Sequence, residues 1–281
     1  MKVYFVGAGP GAPDLITLRG ARLLGSVKMV LYAGSLVPTE VLQHCSADTE
    51  LIDTAQLDLE QQQACYERAQ AQDMEVVRLH SGDPAIYGAT AEQMRRLEAL
   101  GIAYEVVPGV SSFTAAAAAV AAELTKPEVS QTVILTRVSG RASAVPELES
   151  IARLAEHQAT MCIFLSGPHL KKIVTDLRLH YPANTPVTLV YRASWPDQRV
   201  YQGTLATVLE ETKRGSWNLT TMMLVGAALD KGTQVESSLY SKDFTHLFRV
   251  VKKNKGNKDS KDNKEEDKQE QDISVLTGDE V

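Results

Sequence analysis

Short apolar runs alternate with longer amphipathic stretches along the N-terminal half of the chain. The runs that predict strands lie at residues 2–6, 28–32, 75–79 and 104–107. The stretches that predict helices lie at residues 15–24, 57–71 and 89–100, with a buried alanine-rich helix at residues 115–122. Strands and helices in this alternation are typical of an α/β fold, with a mostly parallel sheet and helices on both faces.

After residue 124 the pattern changes, because the predicted strands follow one another at shorter intervals. These strands lie at residues 132–136, 160–165, 186–191, 200–203 and 221–225, and helices are predicted at residues 145–155, 170–179 and 205–213. The closer spacing indicates that part of this second sheet is antiparallel. We therefore predict two α/β domains, residues 1–118 and 119–250.

From residue 251 onward the chain reads "VKKNKGNKDSKDNKEEDKQEQD", in which lysines and acids alternate and apolar residues are almost absent. Such a stretch cannot bury enough apolar surface to offset the entropy of ordering it. We predict that residues 251–281 form a disordered, charged tail.

Composition narrows the function classes. The 281 residues carry a net charge of −6, so the basic surface typical of nucleic-acid binding is missing and we expect no nucleic-acid partner. No apolar run approaches the roughly 20 residues that cross a bilayer, and no signal peptide precedes the first strand, so we expect no membrane association. The three cysteines are widely separated, which indicates a reducing cytoplasm, and no paired Cys/His motif predicts a metal site.

The first chemical signal is the glycine turn in "VGAGPGAPDLITLRG", residues 6–20. Glycines between a strand and a helix let backbone N–H groups approach a ligand closely. The spacing differs from the G-x-G-x-x-G of dinucleotide sites, and no acid follows the second strand until Glu40. The lysine and hydroxyl residue of a P-loop are also missing. The turn predicts a nucleotide-like ligand without a pyrophosphate; the alternative is a purely structural turn.

Two further turns, "HSGDP" and "VPGVSS", also follow predicted strands. Open α/β sheets bind ligands at this edge, so three turns there favour one shared site. The structural alternatives are that Asp83 caps a helix and that Ser111 or Ser112 caps the alanine-rich helix.

Together these three stretches resemble the tetrapyrrole methylase family over about residues 1–250. Within the family, the discriminating stretches, in chain order, are "YAGSLVP", "SQTVILTRVSGR", "VYRASWPDQ" and "FTHLFR". One departure is Ser81, which stands where many members have a glycine before Gly82 and Asp83.

The resemblance implies two α/β domains with a cofactor cleft between them, a homodimer, and S-adenosyl-L-methionine as the cofactor. It also implies methyl transfer to C-11 of a corrin precursor at the precorrin-4 stage, with or without cobalt, in cobalamin biosynthesis. The cofactor-binding residues that it implies are Pro10, Ser81, Gly82, Asp83, Ile86, Ser111, Ser112, Leu165, Ala193, Thr221 and Met222.

A corrin precursor carries acetate and propionate side chains, so an acidic protein must gather cations where it binds this substrate. Arginine suits carboxylates because its planar fork binds them through two hydrogen bonds. Ordinary surface ion pairs are the alternative for each cation. The candidate substrate-binding residues are Arg137, Arg141, Arg192, His246 and Arg249. No catalytic residue is assigned, and a structural role is expected for His80.

Three other functions remain open at this stage. One is a methyltransferase of the same family that acts at another corrin position, or on a protein or RNA. The second is a nicotinamide-binding oxidoreductase, which the missing dinucleotide spacing and ribose-binding acid disfavour. The third is a non-catalytic carrier of a tetrapyrrole or cofactor.

Overall fold

The computed structural model describes residues 1–139, 144–213, 215–232, 237, 241–242, 244–245 and 249. The chain forms two compact units, Met1–Val235 and Glu236–Val281. Both sheets and the cavity described below belong to the first unit. In the second unit, the Arg249 guanidinium donates to the carbonyl oxygens of Ser241 at 2.5 Å and Phe244 at 3.2 Å. The predicted tail, Arg141 and His246 lie outside the described residues.

The first sheet has five strands in the order β3-β2-β4-β1-β5, and every neighbouring pair is parallel. Its strands are β1 (Lys2–Gly7), β2 (Met29–Tyr32), β3 (Glu50–Asp53), β4 (Val76–His80) and β5 (Ala103–Val107). The helices of this part are α1 (Leu18–Ser26), α2 (Leu59–Ala71), α3 (Thr90–Ala99) and α4 (Ser112–Ala119). The parallel sheet expected from the alternating pattern is confirmed.

Side-chain caps set where the first helices begin. The Thr17 hydroxyl accepts from the Gly20 N–H at 3.1 Å, so α1 starts after Thr17, later than predicted. Asp58 and Gln61 form a reciprocal capping box at the start of α2.

Strand β4 shows how the sheet buries both faces. Val77 and Leu79 pack into the core on one face, with Val6, and Val76 packs into the core on the other face, with Phe5. Because side chains alternate along a strand, Arg78 and His80 share the face of Val76. A buried strand therefore carries a charged and a polar side chain into the protein interior.

The second sheet has the order β6-β7-β10-β8-β9. Its strands are β6 (Val133–Arg137), β7 (Thr160–Phe164), β8 (Pro186–Tyr191), β9 (Arg199–Thr204) and β10 (Thr221–Val225). Only the pair β6–β7 is parallel, which confirms the expected mixture. The helices α5 (Ile151–Ala155), α6 (Leu170–Leu177) and α7 (Val208–Thr212) accompany it.

Some elements differ from the prediction. Strand β3 was not expected, because its "ELID" sequence is a largely exposed edge strand without an apolar run. The 3₁₀ helix Thr39–His44 was also missed. The helix predicted at residues 145–155 is wrong in its first half. That half holds a short 3₁₀ helix, Glu147–Glu149, and the extended residue Ser150, before α5 begins.

Helix α4 connects the two sheets. It follows the first sheet in the chain, but Ala115, Ala116 and Ala117 pack in one core with Cys162 and Leu224 of the second sheet. The predicted domain boundary at residues 118/119 falls inside this helix and stays a prediction. None of the helices in the described ranges is long and apolar enough to cross a membrane.

Candidate functional site

A cavity of about 300 Å³ opens where the loops after β1, β4 and β5 meet residues from the second sheet. Because β1 lies between β4 and β5, the three loops are neighbours at the carboxyl edge of the sheet. All eleven predicted cofactor residues line this cavity: Pro10, Ser81, Gly82, Asp83, Ile86, Ser111, Ser112, Leu165, Ala193, Thr221 and Met222.

The three loops cross one another through glycine backbone. Gly82 N–H donates to the Gly9 carbonyl at 2.8 Å, and Gly9 N–H donates to the Gly82 carbonyl at 3.3 Å. A Cβ added to Gly7 would lie 2.5 Å from the Gly109 Cα, and one added to Gly109 would lie 2.2 Å from the Gly82 carbonyl oxygen. Side chains at these positions would therefore push the loops apart.

Asp83 links the second loop to the third. Its Oδ1 accepts from the Ala85 N–H at 2.7 Å, and its Oδ2 accepts from the Gly109 N–H at 2.9 Å. Asp83 does not cap α3, which begins after Ala89. Ser111 is the residue that precedes α4, but its hydroxyl makes no capping hydrogen bond. Both carboxylate oxygens of Asp83 thus serve the shape of the loops.

A loop from the second sheet holds the first glycine loop. The Trp195 Nε1–H donates to the Pro10 carbonyl at 2.9 Å, and the Ala12 N–H donates to the Ser194 hydroxyl at 3.0 Å. A Cβ on Gly11 would lie 2.2 Å from Cδ1 of Trp195, so glycine is required for the indole to pack there. We call Ser194 and Trp195 the clasp.

An aromatic contact joins the two sheets at another part of the wall. The rings of Tyr87 and Phe164 meet edge to face with centroids 5.1 Å apart. The Arg137 guanidinium lies 5.8 Å from the Tyr87 ring centroid, so this predicted substrate residue is beside the cavity.

Several non-glycine residues of the wall have left-handed backbone. Tyr87, Leu165 and Arg192 have φ values of 54°, 53° and 48°. Such conformations cost about 1–3 kcal/mol each and persist where surrounding structure imposes them. All three line the cavity, so the surrounding structure holds strained backbone in its wall.

Three buried polar atoms of the wall have no hydrogen-bond partner among the described residues: His80 Nε2, Arg192 Nε and Thr221 Oγ1. A buried polar group without a partner costs about 1–3 kcal/mol, so these atoms are available to a ligand. Burial, reinforced by the charge of Arg78, lowers the pKa of His80 to about 3 and keeps its imidazole neutral.

The predicted substrate residues differ in their placement. Arg192 lines the cavity, lies 4.7 Å from the Trp195 ring centroid, and pairs with Asp197 at 2.9 Å. Arg137 lies beside the cavity, and Arg249 belongs to the second unit.

Arg78, Tyr87 and Trp195 are among the wall residues that sequence reasoning missed. The signal for Arg78 was a charge inside the apolar run "VVRLH". Tyr87 gave no comparable signal, because exposed or half-buried aromatics are common in loops. Trp195 lies in the discriminating stretch "VYRASWPDQ", but that stretch did not indicate its role.

The cavity suits a ligand that has polar edges and an apolar body. No lysine is among its described lining residues, whereas Leu165, Val190, Ala193 and Met222 supply an apolar wall. Among the described residues, no group of three or more His, Cys, Asp or Glu side chains is arranged to hold a metal ion.

Comparison with known proteins identifies the family of this chain. The family described as tetrapyrrole (corrin/porphyrin) methylases matches residues 2–209. The precorrin-4 C(11)-methyltransferase of Pseudomonas aeruginosa is 48% identical over 249 residues, which cover 89% of this chain and 99% of that protein.

Two solved structures share the fold. A cobalt precorrin-4 methyltransferase superposes with a TM-score of 0.79 at 42% identity, covering 82% of this chain and 96% of the other. A Thermus thermophilus uroporphyrin-III C-methyl transferase, solved with S-adenosylhomocysteine, superposes with a TM-score of 0.70 at 28% identity. The superposition covers 84% of this chain and 97% of the other. The chain belongs to the tetrapyrrole methylase family, and the expected family and fold are confirmed.

Proposed function

We propose that this protein is an S-adenosyl-L-methionine-dependent C-methyltransferase that methylates C-11 of precorrin-4 or cobalt-precorrin-4 in cobalamin biosynthesis. The observation that carries this proposal is the 48% identity to a precorrin-4 C(11)-methyltransferase across 99% of that relative's length. The cavity agrees with it, because its walls combine glycine loops, apolar side chains and unpartnered polar atoms.

The residues present fit the donor. S-adenosyl-L-methionine has an adenosine and an amino-acid part, and the lining residues of the cavity offer it both an apolar wall and polar atoms without a partner among the described residues. In the proposal, the eleven residues predicted from the sequence hold it, with Leu165, Ala193 and Met222 as the apolar wall. The Thr221 hydroxyl, which has no partner within the described part of the chain, is placed to bond one of its polar groups.

The chemistry requires mainly alignment. When bound, this cofactor supplies a methyl group that is activated by its positively charged sulfur. Holding two reactants in line contributes about 7–11 kcal/mol to lowering a barrier. The glycine crossing, the Asp83 bridge and the clasp together keep the first loop fixed in position against the second sheet. Neutral His80 is a weak base with a pKa of about 3, so we do not assign it proton transfer.

The substrate would lie at the cavity mouth. Large apolar side chains are exposed there, with Tyr87 52%, Leu165 45% and Leu219 58% exposed. These surfaces suit the flat body of a macrocycle, while Arg192 in the wall and Arg137 beside it suit its carboxylates.

The test is methyl transfer from isotopically labelled donor to precorrin-4 and to cobalt-precorrin-4, with the new methyl group located by NMR. We expect it at C-11 of at least one substrate. A methyl group at another carbon would instead support the alternative that the enzyme acts at a different corrin position. No transfer, together with no binding of S-adenosylhomocysteine in calorimetry, would refute the proposal.

We also propose a homodimer located in the cytoplasm. The family resemblance supports the dimer, and the three free cysteines, Cys45, Cys65 and Cys162, suit a reducing compartment. Light scattering after size exclusion tests the first part, and fractionation of the native cell tests the second.

A further inference from the structure

A buried arginine lies at the cavity without an acidic partner. Arg78, in the middle of β4, is 6% exposed. Its Nε donates to the Gln93 side-chain oxygen at 3.1 Å, and its Nη1 donates to the carbonyls of Leu31 at 3.4 Å and Leu79 at 3.5 Å. No carboxylate of the described residues forms an ion pair with it, and its Nη2 donates a hydrogen bond to none of them.

The groups around Arg78 leave its charge unbalanced. Tyr66 donates to the same Gln93 oxygen at 3.2 Å, and burial raises the pKa of this phenol to about 12, so it is neutral. His80 is neutral as well, because burial lowers its pKa to about 3. Asp83 already uses both carboxylate oxygens on backbone N–H groups. A buried cation without a counter-charge is costly, and burial accordingly lowers the pKa of Arg78.

The second arginine of the cavity differs in this respect. Arg192 also lines the wall, but Asp197 pairs with its Nη1 at 2.9 Å. Arg78 therefore presents a net positive charge to the cavity, whereas the charge of Arg192 is partly compensated by the protein itself.

His80 stands next to Arg78 in the same wall. The two residues are separated by one position in β4, so their side chains share a face of the sheet. His80 is 7% exposed, and its Nε2 has no partner among the described residues. Both residues line the cavity. A guanidinium with a neutral imidazole N–H beside it forms a donor set that suits a carboxylate.

We propose that Arg78 and His80 form a carboxylate-binding subsite in the cavity, in which a ligand carboxylate supplies the counter-charge that the protein lacks. The inference rests on the proposed function, because two carboxylates then reach this site. One belongs to the amino-acid part of the methyl donor, and the other is an acetate or propionate of the macrocycle.

The first experiment compares two ligands that differ in this group. S-adenosylhomocysteine carries the amino-acid carboxylate, whereas 5′-deoxy-5′-methylthioadenosine lacks the whole amino-acid part. We expect Arg78→Met to weaken S-adenosylhomocysteine binding by about 10- to 100-fold, since a hydrogen bond to a charged group is lost. The affinity for 5′-deoxy-5′-methylthioadenosine should change by less than about 2-fold. His80→Gln should give a smaller loss in the same direction. Arg68→Met, which removes a surface arginine paired with Glu50, is the matched control.

The second experiment tests whether the carboxylate that binds Arg78 belongs to the macrocycle. In that case Arg78→Met leaves both nucleoside ligands unchanged and raises the KM for the macrocycle at least about 10-fold. Equal losses for both nucleosides would show a purely structural role, and no change in any of the three ligands would show no role. Either result overturns the proposal.

A crystal structure of the wild-type complex keeps the inference testable if Arg78→Met does not fold. A carboxylate oxygen of donor or macrocycle within about 3.5 Å of the guanidinium supports it. Complexes in which both ligands place every carboxylate elsewhere overturn it. Failure of the wild type to bind S-adenosylhomocysteine would instead count against the proposed function.

Discussion

The two sheets contribute to the cavity in opposite ways. The first, parallel sheet supplies loops whose glycines let the backbone cross closely, as at Gly7, Gly82 and Gly109. The second, mixed sheet supplies two of the three left-handed non-glycine residues of the wall, Leu165 and Arg192, whereas the third, Tyr87, follows β4 of the first sheet. The first half thus relies mainly on glycine where its chain segments touch, whereas most of the strained backbone that aims side chains at the ligand lies in the second half.

This difference indicates a division of labour. The glycine loops are tied together by backbone hydrogen bonds and by Asp83, so they form a rigid base. The strained residues carry the side chains that determine the shape of the wall. We therefore expect substitutions in the first half to affect folding and binding together, and substitutions in the second half to affect binding more than stability.

The largest effect is expected for Gly109→Ala. The new Cβ would lie 2.2 Å from the Gly82 carbonyl oxygen and 2.7 Å from the Gly7 Cα, so the three loops must separate. We expect a loss of about 3 kcal/mol or more in unfolding free energy, and S-adenosylhomocysteine binding too weak for calorimetry. Gly25→Ala, whose Cβ would lie 3.4 Å from the His44 carbonyl oxygen, is the control and should retain binding. Normal binding by Gly109→Ala would contradict the glycine-crossing argument.

The loss of folding stability at acidic pH should also originate in the first half of the chain, at His80. His80 has a folded-state pKa of about 3 against an ordinary value of 6.5, so the unfolded chain gains a proton that the native protein rejects. Above pH 6.5 this proton uptake does not lower the unfolding free energy. As the pH falls from 6.5 towards 3, it lowers the unfolding free energy by about 1.4 kcal/mol per pH unit.

Urea unfolding between pH 7 and pH 4 measures this slope. His80→Gln should give a flatter dependence than the wild type, whereas His180→Gln, which replaces an exposed histidine, should not. Identical slopes for His80→Gln and the wild type would show that this imidazole is not the cause.

The clasp offers an intermediate effect that connects both halves. Trp195→Phe keeps an aromatic ring next to Arg192 but removes the hydrogen bond to the Pro10 carbonyl at 2.9 Å. We expect about 1 kcal/mol weaker binding of S-adenosylhomocysteine, or roughly 5-fold, with little change in kcat. Trp217→Phe is the matched tryptophan control, since Trp217 does not line the cavity. An unchanged affinity in Trp195→Phe would show that the Trp195 hydrogen bond of the clasp does not contribute to S-adenosylhomocysteine binding.

The smallest effect on stability is expected for Leu165→Gly. Leu165 has a φ of 53° and is 45% exposed, so glycine relieves strain while little packing is lost. We expect an unfolding free energy equal to the wild type or higher by up to about 1 kcal/mol, together with weaker donor binding. Thermal unfolding and calorimetry on the same samples check this. A large loss of stability would contradict the proposed difference between the halves.

Particular residues show how far prediction from the sequence reached. The apolar run before Gly7 predicted β1, and the three glycine or serine turns were correctly assigned to one sheet edge, because parallel strands end at the same side. Strand β3 was missed because an exposed edge strand does not require an apolar pattern. The start of α5 was predicted too early, because Ser150 is extended between two helical segments.

The candidate site was likewise predicted only in part from the sequence. The residues predicted by resemblance all line one cavity, but the roles of Asp83, Trp195 and Arg78 emerged only from contacts. Asp83 bridges to Gly109 over 26 positions, and Trp195 reaches Pro10 over 185 positions. Spacing along the chain carries no information about such pairs.

The sequence by itself determined the alternation of strands and helices, the parallel character of the first sheet and the family, since local periodicity and motif residues encode these. Only the tertiary structure decided which glycines touch, which loop holds the Pro10 turn, and that Arg78 lacks an acidic neighbour among the described residues. The physical reason is that close approach, burial and charge balance depend on residues far apart in the chain, which meet only when both sheets pack around one cavity.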